Sequence, residues 1–186
     1  MLSDIWPTGW HATELAGVKP GETVVVAAAA GGVGVIAAQL ALLAGARVIG
    51  TASDANAAFL RSLGVEPVRY GDGLLERIRS LAPDGVDAYL DNFGAGNVDL
   101  AVQLGVARSD QHHQRRRRRG PVRRPHRRPG AGQLARRMPG ACRPVVAGKL
   151  TVPIQAVSPL ERVRDAYDEL AARHTQGKIV LRLTPN

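Results

Sequence analysis

From Thr23 to Gly34 the chain reads T-V-V-V-A-A-A-A-G-G-V-G and runs directly into V-I-A-A-Q-L-A-L-L-A-G. A β-branched run, a glycine cluster and an alanine-leucine run form the pattern of a buried strand, a tight turn and a helix. The unit is suited to holding a nucleotide pyrophosphate. Glycine lets the turn present backbone N–H groups without a Cβ in the way, and a helix N-terminus adds unpaired donors and a partial positive charge. Against the usual G-x-G-x-x-G spacing, Gly31 and Gly34 take the second and third glycine positions, and Ala29 stands at the first.

The same stretch raises a membrane reading, because Val24 to Ala46 is 23 residues without a charge. Gly31 and Gly32 divide it into a β-branched half and an alanine-leucine half, which favours strand plus helix over one spanning helix.

Downstream the alternation continues. Arg47 to Thr51 reads as a strand, and Ser53 with Asp54 as the cap of a helix that runs to Leu63 and stops at Gly64. Glu66 to Tyr70 reads as a third strand, Leu74 to Leu81 as a helix ended by P-D-G, Val86 to Asn92 as a fourth strand and Asn97 to Leu104 as a helix. Strand and helix alternating at these spacings imply parallel β-α-β units. The fold class is therefore α/β, an open doubly wound parallel sheet of the Rossmann type.

In such a sheet the end of the second strand meets the 2′ position of a dinucleotide. A carboxylate there suits NAD, whereas hydroxyls or cations suit the phosphate of NADP. Here the strand ends Gly50-Thr51-Ala52-Ser53 and the first acid is Asp54, one residue beyond, which favours NADP. The alternative is that Ser53 and Asp54 only cap the next helix.

Composition narrows the remaining classes. A 186-residue chain that is 45% hydrophobic and 22% charged can bury one substantial core. The single cysteine, Cys142, excludes a disulfide framework or a cysteine-rich zinc site and suggests a reducing cytoplasm. Met1 to Glu14 lacks the basic and then apolar order of a secretion signal, so a cytoplasmic protein without membrane association is expected. No metal-ligand cluster, paired-carboxylate site or Ser-His-Asp order stands out, so neither a metal nor a catalytic residue is assigned. His11 is expected to pack at the domain edge, and His174 to sit on the last turn of a surface helix.

Several separated segments carry a family resemblance. P-T-G-W-H-A-T-E-L-A-G-V-K-P-G-E-T-V-V-V-A-A-A-A-G-G-V-G resembles the medium-chain dehydrogenase/reductase superfamily, and its A-x-x-G-G-V-G turn is similar to the zinc-independent quinone oxidoreductase branch. P-D-G-V-D-A-Y-L-D-N-F-G from Pro83, G-K-L-T-V-P-I from Gly148, and P-L-E-R-V-R-D-A-Y-D-E-L with G-K-I-V-L between Pro159 and Leu181 fit the same branch. The resemblance covers about Leu2 to Val106 and Val145 to Thr184. It implies NADPH as hydride donor, a quinone, enone or similar activated carbonyl compound as acceptor, and homo-oligomers as one possible assembly. It also implies that Ala30, Gly31, Gly32, Val33 and Gly34 line the pyrophosphate, with Ser53 and Tyr70 approaching the 2′-phosphate. Asn92 and Gly94 would face the nicotinamide side, with Thr8 near its ribose. Each has a plainer reading: Tyr70 as the end of an edge strand, Asn92 and Gly94 as a turn.

Two departures from the family qualify the expectation. Superfamily members carry a catalytic domain ahead of the nucleotide domain, and this chain starts almost at the nucleotide domain, so that catalytic domain is expected to be absent. The closing strand, Lys178 to Leu183, is then expected to lack a pairing partner and to leave an apolar edge. The second departure is Arg108 to Arg143, which holds 13 of the 25 Lys and Arg and a single acid, Asp110. It contributes +12 and leaves −3 for the remainder.

A polyanion-binding arm and a solvated insertion are two readings of that block. A third is a shifted reading frame, since Arg, Pro, Gly, His and Ala are what GC-rich DNA yields out of frame. Shifted codons for Asp110 to Gln114 permit Ile-Asn-Thr-Ile-Ser, a β-rich run suited to a fifth strand. The expected organisation is a Rossmann domain over 1–107, an arginine-rich segment over 108–144, and a strand-helix-strand tail over 145–186. The sheet is expected to be incomplete at its fifth strand. The leading functional reading is the cofactor-binding part of an NADPH-dependent quinone or enone reductase. Nucleic-acid binding through 108–143 and an inactive truncated product are the alternatives.

Overall fold

The computed structural model describes residues 2–94, 96–106, 108–109, 147–172 and 174–183. Its elements, in chain order, begin with α1 (Leu2–Ala16), β1 (Thr23–Val26), α2 (Gly34–Leu43) and β2 (Arg47–Ala52). A 3-10 turn at Asp54–Asn56 leads into α3 (Ala57–Ser62), then β3 (Glu66–Arg69), α4 (Leu74–Leu81), β4 (Ala88–Leu90), α5 (Asn97–Gln103) and β5 (Arg108–Ser109). The C-terminal part contains β6 (Ile154–Pro159), a 3-10 turn at Leu160–Arg162, α6 (Val163–Ala171) and β7 (Lys178–Arg182).

Five parallel strands form one sheet in the order β3-β2-β1-β4-β5. That is the doubly wound order, in which strands are added outward on one side of β1 and then on the other. Alternate residues of β1 face opposite sides. Val24 and Val26 join a cluster with Ala37, Ala38 and Ala41 of α2 and Leu60 of α3, whereas Val25 joins Tyr89, Ile78 of α4 and Ala101 of α5. Helices therefore cover both faces, and the central strands are apolar on both sides.

The apolar run that raised the membrane reading is explained by burial within the protein. Val35 to Gln39 and Ala41 of α2 are all buried, between the sheet on one side and α1 and Leu150 on others. No helix among the described residues is long and apolar enough to cross a membrane.

The fifth strand is two residues long as described, and Arg108, counted with the basic block, belongs to it. Arg108 pairs in register with Ala88, and its guanidinium donates to the Ala16 and Gly17 carbonyls and to Glu22 at 2.6 Å. The remaining arginine-rich segment, 110–146, lies outside the described residues, as does the side chain of His11.

Three sequence expectations are corrected. The closing strand does have a partner: β7 pairs in parallel with β6 along its length, in a second, two-stranded sheet. The strand expected at Thr151 to Ile154 begins where that range ends, because Pro153 has no N–H and instead offers its carbonyl to Lys178 at 3.0 Å. α6 ends at Ala171, so His174 lies beyond the helix and not on its last turn.

Candidate cofactor-binding site

The chain leaves β1 at the centre of the sheet and turns through Ala27 to Val33 into α2. Three contacts fix this turn from neighbouring strand ends. Ala27 N–H donates to the Leu90 carbonyl at 2.8 Å. Ala28 N–H donates to Thr51 Oγ1 at 3.0 Å, and Ala29 N–H to the Thr51 carbonyl at 3.0 Å. Thr51 is buried, so its hydroxyl is spent holding the turn. Its role is invisible in the sequence, where it reads as one more β-branched strand residue.

The turn is tight enough to dictate residue type. Ala28 adopts a φ of 50°, unusual for a residue with a side chain. A Cβ on Gly34 would lie 2.1 Å from the Ala28 carbonyl oxygen, so this position accepts only glycine without a shift of backbone. The missing first glycine is compensated across the sheet. A Cβ on Gly50 would meet Ala29 Cβ at 2.7 Å, so the alanine fits because β2 has a glycine opposite it.

The result is a tightly turned run of backbone at the start of α2. Among the described residues no acceptor is found for the N–H groups of Gly32, Val33 and Gly34, and no side chain caps the helix. These donors carry the partial positive charge of the helix N-terminus, at the crevice between β1 and β4 where the sheet order reverses. An anion such as a pyrophosphate fits that chemistry.

The other sequence-derived positions lie in the turn itself, after the ends of β2, β3 and β4, and on α1. Ala30 is buried, and its carbonyl accepts from Gly177 at 2.8 Å. Ser53 follows β2, half-buried and in extended conformation, and its side chain makes no cap hydrogen bond, contrary to the helix-cap reading. Tyr70 follows β3 beside it, with its N–H donating to the Ala52 carbonyl at 3.3 Å and its ring exposed. Asp54 is exposed and stands 3.5 Å from Arg69, so a guanidinium faces the first acid beyond the end of β2.

On the other side of the turn, Asn92 donates its amide to the Ala27 carbonyl at 3.2 Å and so ties the end of β4 to the glycine turn. The turn at Gly94 is built by Asp91, whose Oδ1 accepts from Phe93 N–H, Gly94 N–H and the Asn97 amide. Thr8 is exposed on α1, which packs on α2.

Sequence reasoning missed the C-terminal contribution. Gly31 forms a parallel bridge with Gly177, next to the Ala30–Gly177 hydrogen bond. One turn along α2, the buried amide of Gln39 donates to the Thr151 carbonyl at 2.8 Å and accepts from Thr151 N–H at 2.7 Å. A buried glutamine within an otherwise apolar helix was the available signal for such a partner.

No group of three or more His, Cys, Asp or Glu among the described residues could hold a metal ion. The fold and this turn define a class: a doubly wound α/β domain with a glycine-rich strand-to-helix turn. Known proteins narrow the class. The zinc-binding dehydrogenase family model matches residues 32–106. Mouse prostaglandin reductase 1 is 46% identical over 95 residues, which are 49% of this chain and 29% of that enzyme. A putative NADP-dependent oxidoreductase of Bacillus subtilis, YfmJ, is 41% identical over 91 residues, 46% of this chain and 27% of its own. The structure of CurA from Vibrio vulnificus in complex with NADPH superposes with a TM-score of 0.75 over 100% of this chain and 63% of its own, at 22% identity. The family model, the curated relatives and the solved structures agree on the medium-chain dehydrogenase/reductase superfamily as what the matched part of this chain is similar to. Its matched stretch spans between a quarter and a third of the curated relatives it resembles.

Proposed function

We propose that this chain binds NADPH at the glycine turn and is the cofactor-binding part of a reductase acting on enones or quinones. The observation that carries the reading is the trio of unpaired N–H groups at Gly32, Val33 and Gly34, held at the reversal point of the sheet. These groups and Gly31 hold the pyrophosphate. Ser53 and Tyr70, at the ends of adjacent strands, face the adenosine 2′-phosphate, and Arg69 offsets the charge of Asp54 there. Asn92, Gly94 and Thr8 border the nicotinamide half.

When bound, NADPH supplies a hydride; the described residues bind and orient it. Preference for NADPH follows from the absence of a carboxylate before Asp54 and from the uncommitted Ser53 hydroxyl. The acceptor class rests on the prostaglandin reductases among the relatives and on the quinone oxidoreductase character of the A-x-x-G-G-V-G turn. Titration calorimetry of the full chain with NADPH and NADH tests the reading. Saturable NADPH binding, tighter than that of NADH, is expected, and no heat with either cofactor would sink it.

A further inference from the structure

A lysine lies over the glycine turn, where the sequence reading assigned no cation. Lys178 is the first residue of β7, directly after Gly177. A Cβ placed on Gly32 would come within 2.7 Å of Lys178 Cε and 3.1 Å of Nζ, so the end of this side chain rests against the middle of the turn.

Its position is set by backbone on both sides. Gly177 N–H donates to the Ala30 carbonyl, Gly31 bridges Gly177, and Lys178 N–H donates to the Pro153 carbonyl. Gly177 has a φ of 72°, and a Cβ there would lie 2.3 Å from the Pro153 oxygen, so the chain enters β7 by a route only glycine permits. The root of the lysine is therefore fixed with respect to Gly32, although Lys178 belongs to the two-stranded sheet and Gly32 to the turn that follows β1.

The electrostatics of the arrangement are one-sided. The ammonium makes no ion pair or hydrogen bond with any described residue, and the turn it rests against at Gly32 carries the unpaired N–H groups that begin α2. Positive groups gathered in this way repel one another when alone and act together on an anion.

We propose that Lys178 is a further ligand of the nucleotide's phosphates, delivered to the glycine turn by the C-terminal strand pair. The proposal rests on the NADPH reading and adds the residue that supplies a full charge to a cradle otherwise built of dipoles. It also assigns a purpose to the Ala30–Gly177 contact, which locks the tail to the turn and so positions the ammonium. The competing explanation is that only the aliphatic stem matters, as a cover over Gly32.

Lys178→Met separates the two, because methionine keeps an unbranched apolar stem and removes the charge. NADPH affinity of the full chain would be measured at several salt concentrations, with melting of the unliganded protein and competition by adenosine 2′-monophosphate, which lacks the pyrophosphate. The expected result is an unchanged melt, NADPH affinity weakened about tenfold with a shallower salt dependence, and undiminished binding of the monophosphate. Lys178→Arg should recover most of the affinity. Equal NADPH affinity and salt dependence in wild type and Lys178→Met would overturn the proposal, as would an equal loss for the monophosphate. A wild-type chain that binds no NADPH would overturn the underlying reading and this proposal with it; failure of the lysine alone leaves that reading standing.

Discussion

Strands β1 and β7 both reach the glycine turn, but their surroundings differ. Val24, Val25 and Val26 of β1 are fully buried, with parallel neighbours on both sides and helices over both faces. Every residue of β7 is at least partly exposed, and the tail around it displays Ile154, Val157, Tyr167 and Leu170 to the surface. The first region is held by area removed from water, which tolerates the loss of any one polar contact. The second is held to the first by a few directional contacts at Ala30, Gly31 and Gln39, with Leu150 and Val152 packed against α2. A large buried core sets whether the nucleotide fold forms, whereas a handful of hydrogen bonds decides whether the tail reaches the site.

The strongest way to break this contrast is Gly34→Ala. Its Cβ would lie 2.1 Å from the Ala28 oxygen, a backbone atom that cannot move without opening the turn. A loss of about 3 kcal/mol is expected in urea unfolding, together with loss of NADPH binding. A variant that melts and binds like wild type would mean the turn is not built as described.

Gln39→Leu sharpens the contrast from the other side. It keeps α2 apolar but leaves the N–H and carbonyl of Thr151 without their partners, at a cost of about 1–3 kcal/mol. Hydrogen exchange should accelerate at 150–159 and 178–182 while the amides of β1 and β4 stay protected. Uniform acceleration in both sheets would show that tail and sheet unfold as one unit.

Acid is expected to have the smallest effect, and to act on the five-stranded sheet. The guanidinium of Arg47 hydrogen-bonds Glu66 at 2.6 Å between β2 and β3, and that of Arg108 hydrogen-bonds Glu22 at 2.6 Å beside β5. Both carboxyls are held below their ordinary value of 4.5, chiefly by these hydrogen bonds. A lowered folded pKa means the unfolded chain binds protons first. The contribution is therefore complete above the ordinary value and is lost as pH falls below it, through the lowered folded values. Unfolding free energies followed down through the carboxylate range should show a shallower acid decline in Glu66→Gln. Because the pair is partly exposed, only a modest change is expected. An identical decline in wild type and variant would remove this pair from the account.

Much of the first sheet was legible because its signals are local. Leu74 to Leu81 is helical over the range its amphipathic pattern and its P-D-G terminator indicate, and the β-branched run from Thr23 forms the central strand. Boundaries moved where pairing overrode composition. Val86 to Asn92 shortens to Ala88–Leu90 because Asp87 accepts from Thr23 N–H ahead of the strand, while Asp91 and Asn92 are engaged in the turn beyond it. Ser53 and Asp54 resemble a helix cap in composition, yet the chain there first makes a 3-10 turn and the serine side chain does not cap it. In the tail, the β-branched residues before Pro153 suggested a strand, and the strand forms from the less apolar Q-A-V-S because those residues lie opposite β7.

Residue order along the chain dictates the strand, the turn and the helix, because φ, burial period and the room glycine provides are properties of neighbours in sequence. It singles out Gly31 to Gly34 as the candidate phosphate turn before any fold is known. Folding alone brings Thr51 under Ala28, sets Gly50 opposite Ala29, joins Gln39 to Thr151 across 112 residues and lays Lys178 over Gly32. These are meetings between segments whose separation is closed only when the core collapses, so no local pattern announces them. The cradle is a matter of sequence; its buttress and its cation are matters of tertiary structure.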